Sequence, residues 1–206
     1  MPTIQKNPAI IFQQPQKFQE TVKGFKEVCK FPHYFLKDGV ASPNGKVTYG
    51  ANTCCVLAMD NGAETYLGHF APEYMRGDFM AKLDEIVRRF KDATGELQAV
   101  ILGGHSKFAK PNTQEANQSF TQLANVANVL DRHTSHITMI GGKYNPTFVE
   151  DVAIQGDKVF VSHNRKLNKS YIPELKASTN SNANALLLEN DYEIVDCAGH
   201  KIFFEG

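Results

Sequence analysis

Residues 46–70 read KVTYGANTCCVLAMDNGAETYLGHF. Asn61-Gly62 is a dipeptide favoured in tight hairpin turns, because both residues tolerate positive φ. Apolar-rich stretches flank it, residues 46–60 before and Glu64 to Phe70 after. The pattern predicts two antiparallel strands, the first interrupted by Gly50 and Asn52. Cys54 and His69 lie seven residues from the turn on opposite sides. That near-symmetry predicts cross-strand reach between a thiol and an imidazole.

Outward from the hairpin the chain mixes helices and short strands. Towards the N-terminus, Phe18, Val22, Phe25 and Val28 recur at helical spacing and predict an amphipathic helix over 16–30, ended by Pro32. Residues 1–15, Gln- and Pro-rich (FQQPQ), predict an irregular arm. His33 to Val40 predicts a strand, followed by turn chemistry at Ser42-Pro43-Asn44-Gly45. Towards the C-terminus, Gly77-Asp78 opens and Gly95 closes a helix with Phe79, Leu83, Ile86, Val87 and Phe90 on one face.

Leu97 to Leu102 (LQAVIL) is the continuous apolar run of a buried strand, stopped by Gly103-Gly104. A second helix is predicted over 113–132, with Phe120, Leu123, Val126, Ala127 and Leu130 inward. The strand His136 to Ile140 ends at Gly141-Gly142, and Phe148 to Ile154 pairs with Lys158 to Ser162 about Gln155-Gly156-Asp157. Residues 176–185 (KASTNSNANA) read as a polar linker. Tyr192 to Phe204 predicts a last hairpin about Ala198-Gly199. The fold class is α+β, a layered β-sandwich or sheet core with two helices packed on it, extended by an N-terminal helix and a C-terminal hairpin. The expected division is 1–32 for arm and helix, 33–163 for the core and 164–206 for the extension.

Twenty-two Lys plus Arg balance twenty-two Asp plus Glu over 206 residues. A zero net charge excludes a strong non-specific grip on nucleic acid or on an anionic membrane. No apolar run approaches the ~20 residues of a membrane span, and Met1 to Glu20 is too polar for a signal peptide. Four cysteines are too few for a disulfide framework, and adjacent Cys54 and Cys55 would bridge only under severe strain. These features predict a reducing, cytoplasmic compartment with free thiols; export as an effector stays open.

A cysteine nucleophile needs a base and a third group that orients the base. Cys54 and His69 supply the first two, and Gly50 and Asn52 let the backbone bend so that amides of Thr53 and Cys54 can meet an oxyanion. The competing reading is structural: a free Cys in an apolar strand and a lone strand His are commonly core residues. Seven His invite a metal, with His133-x-x-His136 and His105 as candidates. There is no Cys-x-x-Cys and no His-Glu-x-x-His, so no metal site is predicted. Neither Gly pair carries a phosphate-loop pattern, and strand-end turns are the better reading. The mildly basic stretch Arg165 to Lys176 reads as a solvated connector.

The run Thr48-Tyr-Gly50-Ala-Asn-Thr-Cys54 resembles the chemoreceptor glutamine deamidase (CheD) family and, more distantly, the catalytic domain of the cytotoxic necrotizing factors. The family pattern is Thr-x-Gly-x-x-x-Cys, then a His on the following strand; Thr48, Gly50 and Cys54 match it without a gap, and His69 in YLGHFAPEY takes the place of the His. The resemblance covers residues 34–163. It departs at Asn145-Pro146, where the family has Gly-Arg, which unsettles any partner contact there. Gapless matching selects Cys54, whereas the Val after the family's Cys would select Cys55. Adjacent strand residues face opposite ways, so only one can meet His69; Cys54 is preferred and Cys55 is the alternative.

The resemblance implies a bacterial, cysteine-dependent protein-glutamine deamidase that needs no cofactor. Cys54 would be the nucleophile, His69 the acid and base, and Thr48 the group that orients the imidazole. The implied partner is a protein bearing the target glutamine, a chemoreceptor or another protein, including a host protein. Alternatives are a transglutaminase or cysteine peptidase on the same fold, and a non-catalytic binding module.

Overall fold

The run CVLAMD alternates in its burial partners rather than in its polarity. Cys55, Leu57 and Met59 enter one apolar cluster, while Val56 and Ala58 enter another. A strand covered on both faces has no solvent side to mark with polar residues. Gln98–Gly103 behaves likewise, with Ala99 and Ile101 on the first side and Val100 and Leu102 on the second.

The computed structural model describes residues 8–28, 45–51, 54–103, 114–141, 151–162 and 202–205. In chain order the elements are β1 (Ala9–Gln13), α1 (Pro15–Thr21), β2 (Lys26–Glu27), β3 (Lys46–Thr48), β4 (Cys55–Asp60), β5 (Thr65–Phe70), α2 (Phe79–Asp92), β6 (Gln98–Gly103), α3 (Gln114–Asp131), β7 (Ile137–Gly141), β8 (Asp151–Gln155), β9 (Lys158–Ser162) and β10 (Ile202–Glu205); a short 3₁₀ turn, Pro72–Tyr74, follows β5. The protein is mixed α and β, with two sheets and three α-helices among the described residues.

The strand order is β10-β1-β9-β8-β3-β2 in the larger sheet and β5-β4-β6-β7 in the smaller. Val56, Ala58, Leu67, Val100 and Leu102 meet Ile10, Phe12, Val152, Ile154, Val159 and Val161 between them. Helices α2 and α3 cover the outer face of the smaller sheet, and the 18-residue α3 makes the crossover that the parallel pair β6 and β7 requires. Phe18 and Val22 of α1 and its C-terminal turn cover the outer face of the larger sheet over Ile11, Val47, Ala153 and Phe160.

Strands β4 and β5 pair as the expected antiparallel hairpin, but the loop spans residues 61–64, so Val56 and not Cys54 stands opposite His69; α2 starts and ends where the glycines place it. Gly95 has φ +81 and its N–H bonds back to the Lys91 carbonyl at 2.7 Å, a left-handed helix stop.

Three expectations are corrected. Residues 9–13 are a buried strand between β9 and β10, not part of an irregular arm; the four-residue apolar run AIIF outweighs its Gln- and Pro-rich flank. The helix expected over 16–30 stops at Thr21, and a turn through Gly24 at φ +86 leads into β2. Its apolar residues serve two cores, Phe18 and Val22 beneath α1 but Val28 between the sheets. Residues 46–60 are not one strand, because β3 and β4 belong to different sheets. Strand β10 runs parallel to β1, Ile202 beside Ile10; the rest of the expected closing hairpin, residues 192–201, lies outside the described residues.

Strands from both end pieces thus lie in the same sheet as β8 and β9. The expected strand at 33–40, the linker at 176–185, Thr53, His105 and Asn145-Pro146 lie outside the described residues.

Candidate active site

Strand β3 lies between β8 and β2 in the larger sheet and packs against β5 of the hairpin. Val47 faces α1, so its neighbours Lys46 and Thr48 face inward, towards β5. Lys46 is fully buried and its ammonium donates to Thr65, at 2.8 Å to the carbonyl and 2.9 Å to the hydroxyl. Two residues along, Thr48 Oγ1 lies 2.7 Å from His69 Nδ1. The same oxygen donates its proton to the Val28 carbonyl at 2.8 Å.

A hydroxyl has one proton. Once it goes to Val28, Thr48 can only accept from His69, which assigns the proton to Nδ1. The imidazole lone pair then sits on Nε2, and a neutral histidine held in this form is a base at that nitrogen.

His69 stands opposite Val56, on the face between the sheets, and is 1% exposed. Cys55 stands opposite Phe70 on the other face, packed with Leu57 and Tyr66 beneath the helices. Burial, and then the charge of Cys54, push its thiol well above the usual range. A thiol held protonated and turned away from the imidazole is a poor nucleophile. Cys54 precedes the strand, in a bend; the strand alternation, if extended one residue back, would put it on the face of His69, diagonal to it, where Cα atoms are typically ~7–8 Å apart.

Cys54 is 2% exposed. Its carbonyl presses on Gly103, where an added Cβ would lie 2.0 Å from the oxygen. Gly103 therefore does more than end a strand: only glycine admits the Cys54 backbone there. The Cys54 N–H donates to the Ala51 carbonyl at 3.1 Å. That amide was expected to face an oxyanion, and in this conformation it is already engaged. Between Thr48 and Cys54 the chain turns through Gly50, at φ +68, whose N–H donates to Asp151 Oδ1 at 3.0 Å.

The sequence reading therefore named Thr48, His69 and Cys54 but missed the Val28 carbonyl, Lys46 and Asp151. A backbone acceptor leaves no residue signature, and Asp151 is 101 residues from Gly50. Gly103 had a signal, the Gly pair, read only as a turn.

Of the other histidine candidates, His133 is used locally. His133 Nε2 lies 2.7 Å from Asp84 Oδ1, which Arg132 also approaches at 3.2 Å. Among the described residues no group of three or more His, Cys, Asp or Glu could hold a metal ion. No described helix is long and apolar enough to cross a membrane.

No protein-family model matches the chain, and no curated protein matches it in sequence.

Proposed function

We propose that the protein is a cysteine amidohydrolase of the protein-glutamine deamidase type, with Cys54 as nucleophile, His69 as acid and base, and Thr48 as the group that orients the imidazole. The observation that carries this reading is the Val28–Thr48–His69 chain of buried hydrogen bonds, which fixes one imidazole tautomer. The likeness of the Thr48–Cys54 run to the CheD family supports the same assignment, as does the two-sheet core with helices on it.

In this mechanism the Cys54 thiolate adds to the carboxamide carbon of a protein glutamine. The His69 imidazolium gives its proton to the departing amine, ammonia leaves, and a thioester remains. Water then adds to the thioester as Nε2 takes its proton, and the thiolate departs. The sum is amide plus water giving acid plus ammonia. Use of the Cys54 amide as an oxyanion donor requires its bond to Ala51 to open.

Burial favours a second reading, a non-catalytic core in which Thr48 satisfies a packed histidine and Cys54 fills space. Alkylation by iodoacetamide, followed at Cys54 and Cys55 separately by peptide mass spectrometry across pH, separates the two. The deamidase reading expects Cys54 to react as a thiolate below the ordinary thiol range and to lose that behaviour in His69→Ala. An ordinary thiol profile, unchanged by His69→Ala, sinks it. Candidate substrates are then screened for the amide-to-acid mass increase with ammonia release; amine incorporation instead marks a transglutaminase.

A further inference from the structure

The segment that carries the nucleophile leaves the larger sheet at Thr48 and enters the smaller at Cys55. Its two ends are fixed. Thr48 is held by Val28 and His69, and Cys54 is held against Gly103 and bonded to Ala51. Between them stands Gly50, in the left-handed region, with nothing among the described residues within 4 Å of where a Cβ would be. A left-handed backbone angle of this kind favours glycine. Its N–H donates to a carboxylate oxygen, Asp151 Oδ1, at 3.0 Å.

Asp151 is well placed for this. It is the first residue of β8, one step before Val152, which pairs with Thr48. The carboxylate thus projects from a paired strand beside the point where β3 gives way to the turn. A hydrogen bond to a charged acceptor is shorter and stronger than a neutral one.

We infer that Asp151 is a positioning residue for the candidate nucleophile: by holding the Gly50 amide it sets the direction in which the chain leaves β3 and so the placement of Cys54 relative to His69. This rests on the deamidase reading. Asp151 itself touches none of the proposed reacting atoms. It acts through Gly50, and the consequence follows from geometry, since displacing a reacting group by about 1 Å can cost on the order of a hundred-fold in rate.

The test compares Asp151→Ala with Asp151→Asn in the full chain, using iodoacetamide at Cys54 across pH. Asn keeps an oxygen that can accept from Gly50, and Ala does not. The expected result is a fall of about ten-fold in the plateau rate with Ala and recovery to within about two-fold with Asn, well inside the range that misplacement can produce. An unchanged rate in Ala overturns the inference, and so does an Asn variant as slow as Ala, which would assign the effect to charge.

If Ala does not fold, NMR on the wild-type protein decides. The Gly50 amide proton should move upfield as the Asp151 carboxylate is protonated and stay still in Asp151→Asn; a Gly50 signal that ignores that titration overturns the inference. Failure of the deamidase reading looks different, because the wild-type Cys54 would then show an ordinary thiol profile.

Discussion

Thr48 concentrates the argument at the residue scale, since one hydroxyl decides which nitrogen of His69 is basic. Thr48→Val keeps the shape but leaves the Val28 carbonyl and Nδ1–H without that partner. Leaving a buried polar group unsatisfied costs about 1–3 kcal/mol, and urea unfolding should show a loss of that order, smaller in Thr48→Ser. Nitrogen NMR of the imidazole should report Nδ1 protonation in wild type and Ser, and a mixed tautomer in Val.

Cys55 gives a pH prediction. Its native thiol is raised by burial first and by Cys54 second, so the native state keeps a proton that the unfolded chain releases. The stability it contributes is complete below the ordinary thiol range, about pH 8.5, and is lost as pH rises above it. Unfolding free energy of the wild type should therefore fall more steeply on the alkaline side than that of Cys55→Ala. Equal slopes would count against the buried, protonated thiol. The adjacent thiols were legible as types in the sequence, and strand alternation was the reason to expect them on opposite faces. Which face held the imidazole needed the register.

Elements were legible where one pattern served one surface. Helix α2 shows its apolar face plainly because Phe79, Leu83, Ile86, Val87 and Phe90 all enter one cluster. Residues 16–28 misled because helical spacing was shared between two surfaces, with Val28 in the inter-sheet core. The interruption between β3 and β4 was legible at Gly50 and Asn52, but the change of sheet was not, because it depends on partners far away in sequence.

The β4–β5 hairpin carries its own prediction at Asp60. Burial raises its carboxyl, the Gly62 N–H opposes that at 3.3 Å, and Asp157 and Glu96 add to the rise. A raised native value means that Asp60 favours the fold below the ordinary carboxylate range and loses that contribution as pH rises through the native value. At neutral pH the ionised group opposes folding, whereas Asn can still accept from Gly62. Asp60→Asn should unfold at higher urea than wild type near pH 7, with the gap closing below about pH 4.

For the whole molecule, the question is what the chain ends contribute. Composition drew the eye to the Gln- and Pro-rich stretch and away from AIIF, because a central strand five residues long leaves little periodicity to read. Its role depends on partners far away in sequence, β9 and β10, which local pattern cannot announce. The sandwich makes β1 internal: Ile10 and Phe12 lie between the sheets with Val152, Ile154, Val159 and Val161, and Phe12 is 1% exposed. An arm would tolerate loss of such a side chain, and an internal strand does not. Phe12→Ala should cost about 3–5 kcal/mol, the range for emptying a buried aromatic site. Against a total that is typically about 5–15 kcal/mol, that is enough to shift the urea midpoint of the entire transition. The exposed neighbour Gln16→Ala, four residues on, is the control and should leave the midpoint in place. Because β1 joins β9 to β10, the loss should appear in one cooperative transition and not as an early separate phase. A separate, low-urea phase would mean that the N-terminal strand is an appendage, and a neutral Phe12→Ala would mean that it is not packed between the sheets at all.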